Sequence, residues 1–306
     1  MNRLYFFAVL VFLALPINSF ALPDSNQIEF SNCTLALPGT SLTANARCGS
    51  LEVAENPDEP AGKRITLKVA VAPATGKTTE PDPVFVFAGG PGQAASETWV
   101  MTRSTLTKRR KTRDSVMSAQ RGTGSSNKLE CVSEIEEDLN QEIDLDLIRT
   151  ETEKCLAELD GDPRFYTTTI AMADIDAARK ALGYDKVNLY GGSYGTRAAQ
   201  VYYRLFPEQV RTIVLDGVVP QTLGLGTEHA MKLDQAIYRV LDGCEADPEC
   251  SDKFPGTPQK LRDLVRFSIE QPVDVTVDHP TTGEPFTLTF NQEVLASALR
   301  FLTYSP

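Results

Sequence analysis

One serine in the chain has the neighbours that nucleophilic catalysis requires. Ser193 is the centre of a Gly-x-Ser-x-Gly pattern that runs from Gly191 to Gly195. An apolar run at 187–190 precedes the pattern, and a segment with helical periodicity follows it. A tight turn between a strand and a helix holds a serine hydroxyl clear of the backbone, and glycines leave room for that turn. The spacing predicts that Ser193 is a nucleophile; the alternative is a glycine-rich turn with an incidental serine.

A second glycine-rich segment could supply hydrogen-bond donors to the same reaction. Residues 88–92 read Ala-Gly-Gly-Pro-Gly and follow a short apolar run at 84–87, which is typical of a buried strand. Backbone N–H groups in such a loop, together with that of Tyr194, can bind the oxyanion of an acyl-transfer intermediate. The loop also matches a dinucleotide fingerprint, Gly90-x-Gly92-x-x-Ala95, but no acidic residue closes a following strand at the required distance.

The base and the acid that would activate the serine are not evident. The chain has two histidines, and neither has a context that marks it as a base. His229 begins a predicted helix, and His279 is part of a turn-forming Asp-His-Pro sequence. Asp216, which closes a predicted strand, is a further candidate for the acid. We leave the catalytic acid and base unassigned.

The elements that must position Ser193 alternate between strands and helices. Strands are predicted at 65–71, 84–87, 115–119, 187–190 and 212–215, with helices at 169–182 and 196–206. Alternation of this kind is typical of a parallel α/β sheet. In the helix at 169–182, the polar residues Asp176, Arg179 and Lys180 are predicted to face outward. Residues 22–60, which contain four prolines, are interpreted as loop-rich.

The pattern changes after residue 220. Helices are predicted at about 229–243, 258–269 and from 292 onward, with a hairpin formed by 273–277 and 286–290. This is interpreted as a second, mostly helical region. An acidic stretch at 130–153 is interpreted as an exposed helix.

Composition and charge exclude several classes of function. The net charge of −11 would repel nucleic acids and anionic membranes, so neither is predicted as a partner. Two histidines are too few for a histidine-rich metal site, and no metal or organic cofactor is predicted. Six cations between residues 103 and 113 are either an anion-binding patch or a solvated helix end, and we favour the second.

The first 21 residues have the pattern of a cleaved secretory signal. A basic start is followed by an apolar run of about 14 residues, shorter than the ~20 that span a bilayer. Ser19-Phe20-Ala21 then fits a cleavage site. The alternative is an uncleaved membrane anchor. The prediction is an exported, periplasmic or extracellular protein that begins at residue 22 and has no membrane association after cleavage.

The cysteines fit an exported protein. All six follow the signal, and an even number in such a chain suggests disulfides. Six cysteines allow fifteen pairings. The simplest is sequential, Cys33–Cys48, Cys131–Cys155 and Cys244–Cys250; the alternative is that some are buried free thiols.

Taken together, three glycine-rich motifs resemble those of a known family. They are Gly-Gly-Pro-Gly at 89–92, Gln-Arg-Gly-Thr-Gly at 120–124 and Gly-Gly-Ser-Tyr-Gly-Thr at 191–196. The chain resembles the α/β-hydrolase-fold serine aminopeptidases, the group of the proline iminopeptidases and tripeptidyl aminopeptidases. The residues around these motifs are also similar to those of the family. They are Asp174-Ile175-Asp176 before the serine, 214–218 after it, and Cys244 and Cys250 further on. The resemblance covers most of residues 47–306.

This resemblance implies a fold, a substrate class and site residues. It implies an α/β-hydrolase core at 22–219, a mostly parallel sheet flanked by helices, and a mostly helical cap at 220–306. It implies a peptide or amino-acid-derived small substrate with a free N-terminus, Ser193 as nucleophile, and the N–H groups of Gly90 and Tyr194 as the oxyanion hole. Two residues depart from the family pattern: Ala119 replaces an Asp, and Ala88 replaces a His.

The family's last strands, which carry its catalytic Asp and His, have no counterpart in the sequence. We expect that the chain is truncated within its cap and that the acid and base lie beyond Pro306. The function predicted is that of an exported serine aminopeptidase. The alternatives are an esterase of the same fold and an inactive fragment that lacks its acid and base.

Overall fold

The computed structural model describes residues 28–131, 144–224, 226–278 and 283–303. The predicted signal at 1–21 lies outside these residues. The main sheet has seven strands, in the chain order β1 (Ser31–Ala36), β2 (Thr43–Ala54), β3 (Arg64–Ala72), β4 (Val84–Phe87), β5 (Ser115–Ser118), β6 (Val187–Gly192) and β7 (Val210–Asp216). The helices that lie between these strands in the chain are α1 (Ala95–Thr102), α2 (Leu145–Glu158), α3 (Thr168–Ala181) and α4 (Tyr194–Leu205).

The strands lie in the order β1-β2-β3-β5-β4-β6-β7. In this order, each neighbouring pair from β1 to β5 is antiparallel, and each neighbouring pair from β5 to β7 is parallel. The predicted alternation of strands and helices is confirmed for the parallel half. Because β4 and β6 are neighbours there, the loop at 88–92 that follows β4 and the turn at Ser193 that follows β6 meet at the same edge of the sheet.

The N-terminal region differs from its prediction. Residues 22–60 were expected to be loop-rich, but the structure has two strands, β1 and β2, in this stretch. Pro38 lies in the turn between these strands, and the later prolines follow β2, so they mark turns rather than an absence of strands. Leu51 is buried opposite Leu67 of β3, which ties β2 to the sheet. Polar residues along the outer strands obscured the alternation.

Helices cover both faces of the sheet. On one face α3 and α4 pack onto Phe85, Phe87 and Leu189, and on the other α1 packs through Trp99 onto Val86 and its neighbours. We call these the α4 face and the α1 face. None of the helices in the described ranges combines the length and the apolar character that a membrane span requires.

Two residues of α3 lie differently from their prediction. Asp176 and Arg179 were predicted to face outward, but they are 2% and 8% exposed. Arg179 Nε lies 2.7 Å from Asp176 Oδ1, and the hydroxyl of Tyr202 in α4 donates to the same oxygen. Pairing with each other and with α4 satisfies both charges in the interface between the helices. Lys180 is exposed, as predicted.

The region after β7 is mostly helical. It comprises α5 (His229–Ala246), α6 (Pro248–Lys253), α7 (Thr257–Glu270), the hairpin β8 (Val273–Asp278) and β9 (Pro285–Phe290), and α8 (Gln292–Leu302). Helix α6 was not predicted; it is one short segment that begins at Pro248 after an Asp247 cap. The acidic helix predicted at 130–153 corresponds to α2, which begins at Leu145, and residues 132–143 lie outside the described residues.

Candidate active site

Ser193 lies in a sharp turn between β6 and α4. Its φ of 52° and ψ of −122° are unusual for a residue with a side chain. Its N–H donates to the carbonyl of Asp216 on β7 (2.8 Å), and its carbonyl accepts from the N–H of Thr196 (2.9 Å). Bonds to a strand and to a helix therefore hold the serine backbone in its conformation.

The two glycines of the serine pattern are there for steric reasons. A Cβ on Gly191 would lie 2.3 Å from the carbonyl oxygen of Gly195. A Cβ on Gly195 would lie 2.3 Å from the carbonyl oxygen of Phe87. Neither distance can be accommodated unless backbone moves, so the tight turn depends on both glycines. Their spacing was the sequence signal for this turn.

The loop after β4 lies against the serine. A Cβ on Gly89 would be 3.3 Å from the Cβ of Ser193, so the two backbones approach closely. Gly90 has a φ of +101°, and the Gly90–Pro91 peptide bond is cis. The structure thus brings together three predicted features: the serine, the glycine-rich loop and the start of α4.

Tyr194 is the first residue of α4. The first N–H groups of a helix have no partner within it, and they carry the positive end of the helix dipole. The Tyr194 side chain is anchored, because its hydroxyl lies 2.5 Å from Oγ1 of Thr168 at the start of α3. At this position, the backbone N–H of Tyr194 can donate a hydrogen bond to a negative charge that develops beside Ser193.

The described residues do not supply an evident base for the serine. Within the described ranges, no hydrogen bond joins the Ser193 hydroxyl to another side chain. His229 is the first residue of α5, and no bond links it to Ser193. His279 lies outside the described residues. The base therefore stays unassigned among the described residues.

Asp216 lies beside the turn, but it is engaged elsewhere. Its carbonyl holds the Ser193 N–H, and its carboxylate accepts a hydrogen bond from the Tyr190 hydroxyl (2.8 Å). Burial and the Asp216 carboxylate raise the pKa of Tyr190 to about 12, so the tyrosine remains a donor at neutral pH. No described imidazole contacts this carboxylate.

Arg121 and Asp174 form a buried ion pair to which the sequence analysis assigned no role. Arg121 is 4% exposed and binds Asp174 of α3 through two hydrogen bonds of 2.7 and 2.9 Å. It also donates to the carbonyls of Ala54, Glu55 and Phe165. Burial raises the pKa of Asp174 above its ordinary value, although Arg121 acts to lower it.

The loop that Arg121 anchors reaches the glycine-rich loop after β4. A Cβ on Gly124 would lie 2.7 Å from the Cβ of Ala94, so the two loops are in contact. Both Arg121 and Asp174 belong to motifs that supported the family resemblance, but opposite charges 53 positions apart do not by themselves predict a pair. Ala119, where the family has Asp, is buried directly after β5.

The segment after β7 is bound to the helix of the nucleophile. Arg197 of α4 donates to the carbonyls of Gln221 and Leu223, and Gln200 donates to that of Val219. These bonds fix the start of the helical region relative to the turn at Ser193.

The six cysteines form three disulfides in sequential order, Cys33–Cys48, Cys131–Cys155 and Cys244–Cys250. The first joins neighbouring strands, the second ties α2 to the loop after β5, and the third links α5 to α6. In the described part of the chain, no group of three or more His, Cys, Asp or Glu side chains is arranged to hold a metal ion.

Comparison with known proteins agrees with this geometry. The sequence pattern of the α/β hydrolase fold matches residues 82–242, which include β4 and Ser193. Serine protease Hip1 of Mycobacterium tuberculosis is 33% identical over 276 residues, which are 84% of this chain and 52% of that protein. Tripeptidyl aminopeptidase of Streptomyces lividans is 32% identical over 203 residues, 58% of this chain and 36% of the relative.

Among solved structures, the proline iminopeptidase of Mycobacterium smegmatis is 18% identical, with a TM-score of 0.39 over 83% of this chain and 68% of that one. The chain spans about half the length of the curated relatives it matches. The family pattern covers more than half of the 306 residues and contains the turn that holds Ser193. The chain therefore belongs to the α/β-hydrolase fold family.

Proposed function

We propose that the protein is an exported serine hydrolase that acts as an aminopeptidase through an acyl-enzyme on Ser193. The observation that carries this proposal is the position of Ser193, which lies in a strained turn with the glycine-rich loop against its side chain. Relatives named as a serine protease and a tripeptidyl aminopeptidase support the peptidase class.

The geometry suits a two-step acyl transfer. The Ser193 oxygen attacks the scissile carbonyl, and its proton passes to a base, which then delivers a proton to the departing amine. The negative oxygen of the tetrahedral intermediate accepts hydrogen bonds from the N–H groups of Gly90 and Tyr194. Each donor of this kind lowers the barrier by about 3 kcal/mol. Water then releases the acyl group by the same steps in reverse.

We propose that the acid and the base come from outside the described residues. Without them, a serine and an oxyanion hole give only residual catalysis. His279 is not described, and His229 has no bond to Ser193, so the described residues favour neither histidine.

The substrate we propose is a short peptide or an amino-acid derivative with a free N-terminus. Recognition of its ammonium group requires carboxylates near the site, and the acidic residues of the helical region after β7 are the candidates. Acetylation of the N-terminus removes its positive charge and would leave such carboxylates unpaired. This costs about 2 kcal/mol or more of interaction free energy with the substrate.

A pair of substrates tests this specificity. A tripeptide p-nitroanilide with a free amino terminus should be cleaved with a kcat/KM at least ~30-fold higher than that of its N-acetyl derivative, from the cost above. The Ser193→Ala variant should cleave neither. Equal rates on the two substrates, with activity still dependent on Ser193, would favour an esterase-like hydrolase without recognition of the N-terminus.

Export is proposed from the signal-like first 21 residues and from the three disulfides, which form in oxidising compartments. N-terminal sequencing of the protein recovered outside the cytoplasm should begin at Leu22. Recovery of the intact N-terminus from the cytoplasm would contradict export.

A further inference from the structure

One polar side chain next to the glycine-rich loop lies beside the proposed nucleophile. Gln93 directly follows the loop at 88–92, and a Cβ on Gly89 would lie 3.5 Å from the Gln93 side-chain oxygen, Oε1. The same Cβ would lie 3.3 Å from the Cβ of Ser193. Because both atoms lie against Gly89, the carboxamide oxygen of Gln93 is close to the side chain of Ser193.

The backbone on both sides of Gln93 is fixed. A Cβ on Gly90 would lie 2.8 Å from the nitrogen of Gly92 and 3.2 Å from that of Gln93, so the loop folds back tightly on itself. The residue after Gln93, Ala94, is buried and contacts the loop that contains Gly124. The Gln93 side chain therefore extends from a backbone whose position is set by its neighbours.

The carboxamide of Gln93 is available to a ligand. Gln93 is exposed, and no hydrogen bond joins its side chain to another residue of the described ranges. A carboxamide has an oxygen that accepts hydrogen bonds and an amino group that donates them. In Gln93 the oxygen is the atom that lies against Gly89 and close to Ser193.

The described residues leave space beside this oxygen. Ser193 is exposed, and within the described ranges nothing lies within 4 Å of an added Cβ on Gly92 or on Gly192. The strand before the loop, β4, lies inside the sheet between β5 and β6, so the open edge at β7 is not involved. The catalytic proposal itself requires that the scissile carbonyl of a substrate enter this space.

A peptide substrate has a hydrogen-bond donor that can reach the Gln93 oxygen. In a reactive complex, the scissile carbonyl carbon lies about 3–3.5 Å from the attacking oxygen of Ser193. Only the Cα separates that carbon from the backbone nitrogen of the same residue, so this N–H also lies close to Ser193. The carbonyl oxygen is bound on the other side, by the N–H groups proposed for Gly90 and Tyr194.

We propose that the carboxamide oxygen of Gln93 accepts a hydrogen bond from the N–H of the substrate residue whose carbonyl Ser193 attacks. This inference rests on the proposed function and adds a specificity to it. Gln93 favours substrates that have a backbone N–H at this residue, and proline, which has none, loses the bond. One hydrogen bond of this kind changes kcat/KM about tenfold.

Two tripeptide p-nitroanilides test the inference on the protein as its source organism makes it. Ala-Ala-Ala has an N–H on the residue before the scissile bond, and Ala-Ala-Pro has none. The quantity measured is the ratio of their kcat/KM values, because effects common to both substrates cancel in it. Gln93→Met, a side chain of similar length without the carboxamide, should lower the ratio of Ala-Ala-Ala to Ala-Ala-Pro about tenfold.

Two further variants make the test specific. Gln93→Glu keeps the acceptor oxygens and removes the donors, so the ratio should stay within about threefold of that of the unaltered chain. Gln209→Met is the matched control, since Gln209 directly precedes β7 and lies at the opposite edge of the sheet from Ser193. It should leave the ratio unchanged. A thermal melt verifies the folding of each variant.

Reaction with an alkyl fluorophosphonate, which has no N–H, separates this inference from the catalytic proposal. The probe should still modify Ser193 in Gln93→Met. An unchanged ratio in Gln93→Met, or an equal fall of the ratio in Gln93→Met and Gln93→Glu, would overturn the inference. Loss of Ser193 modification in a folded Gln93→Met would also overturn it, because Gln93 would then act on the serine. An unaltered protein that cleaves neither tripeptide and is not modified would overturn the proposed function itself.

Discussion

The conformation of Ser193 depends on glycines whose neighbours are backbone atoms. A positive φ at a residue with a side chain costs roughly 1–3 kcal/mol, and it persists only where the surroundings enforce it. Here the hydrogen bonds to Asp216 and Thr196 do so, and the close approach of Gly195 to Phe87 leaves no room for adjustment. The Gly-x-Ser-x-Gly pattern was predictable because it follows from steric demands within a few residues.

The steric role of Gly195 predicts a difference between two neighbouring glycines. Gly195→Ala should lower the free energy of unfolding by about 1–3 kcal/mol or more, since the new methyl would overlap the Phe87 carbonyl. Gly192→Ala should change it by less than about 0.5 kcal/mol, since nothing lies within 4 Å of its added Cβ. Urea denaturation measures both values. Equal stability of the two variants would contradict the packing described for the turn.

The buried pair of Arg121 and Asp174 predicts a pH-dependent loss of stability. Arg121→Met leaves the Asp174 carboxylate buried without its cation, which costs about 3–5 kcal/mol when the carboxylate is charged. The pKa of Asp174, already raised by burial, should rise further in this variant. A raised folded-state pKa gives stability that is present below the ordinary value of about 3.9 and is lost as pH rises.

Unfolding free energies measured between pH 4 and pH 8 test this sign. The deficit of Arg121→Met relative to the unaltered chain should grow as pH rises, since Asp174 then becomes charged. The double variant Arg121→Met with Asp174→Leu is the control and should remove the growth. A deficit that is constant or shrinks with rising pH would show that Asp174 is not the buried charge responsible.

At the scale of the elements, local patterns predicted most of the parallel half of the sheet. The run Val84–Phe87 is apolar throughout because β4 is buried on both faces, and the periodicity of α3 reflects one buried stripe. The antiparallel strands β1 and β2 were missed because their exposed residues are polar and turn-forming prolines flank them. Asp176 and Arg179 were misplaced because their burial depends on Tyr202, 26 residues further on.

We expect that helix α2 depends on its disulfide more than on packing. None of its residues is buried, and an isolated helix of about 14 residues is marginally stable in water. Replacing Cys131 and Cys155 by serine should raise amide hydrogen exchange in α2 towards that of a free peptide and leave β4 and β6 protected. Replacing Cys33 and Cys48, between strands already paired, is the control and should leave α2 unchanged. Unchanged protection of α2 without Cys131–Cys155 would contradict this view.

At the scale of the molecule, the sequence predicted the nucleophile and the glycine-rich loop of the candidate site, but not the contacts around them. Ser193 and the loop that contains Gly90 could be predicted, because local patterns mark them. The contacts of Arg121 could not be predicted, because they join residues distant in sequence. The same holds for the hydrogen bonds from α4 to the segment after β7. No local pattern identified a base, and the described residues do not provide an evident one. The chain spans about half the length of the relatives it matches.

The most direct test of the account is reaction of the protein, as its source organism makes it, with a fluorophosphonate probe. Such a probe phosphonylates a serine that a base activates beside an oxyanion hole. We predict a single modification, on the peptide that contains Ser193, and no modification of a Ser193→Ala variant. Modification that persists in that variant, or an unmodified protein that is correctly folded, would contradict the assignment of Ser193 as the nucleophile of a serine hydrolase.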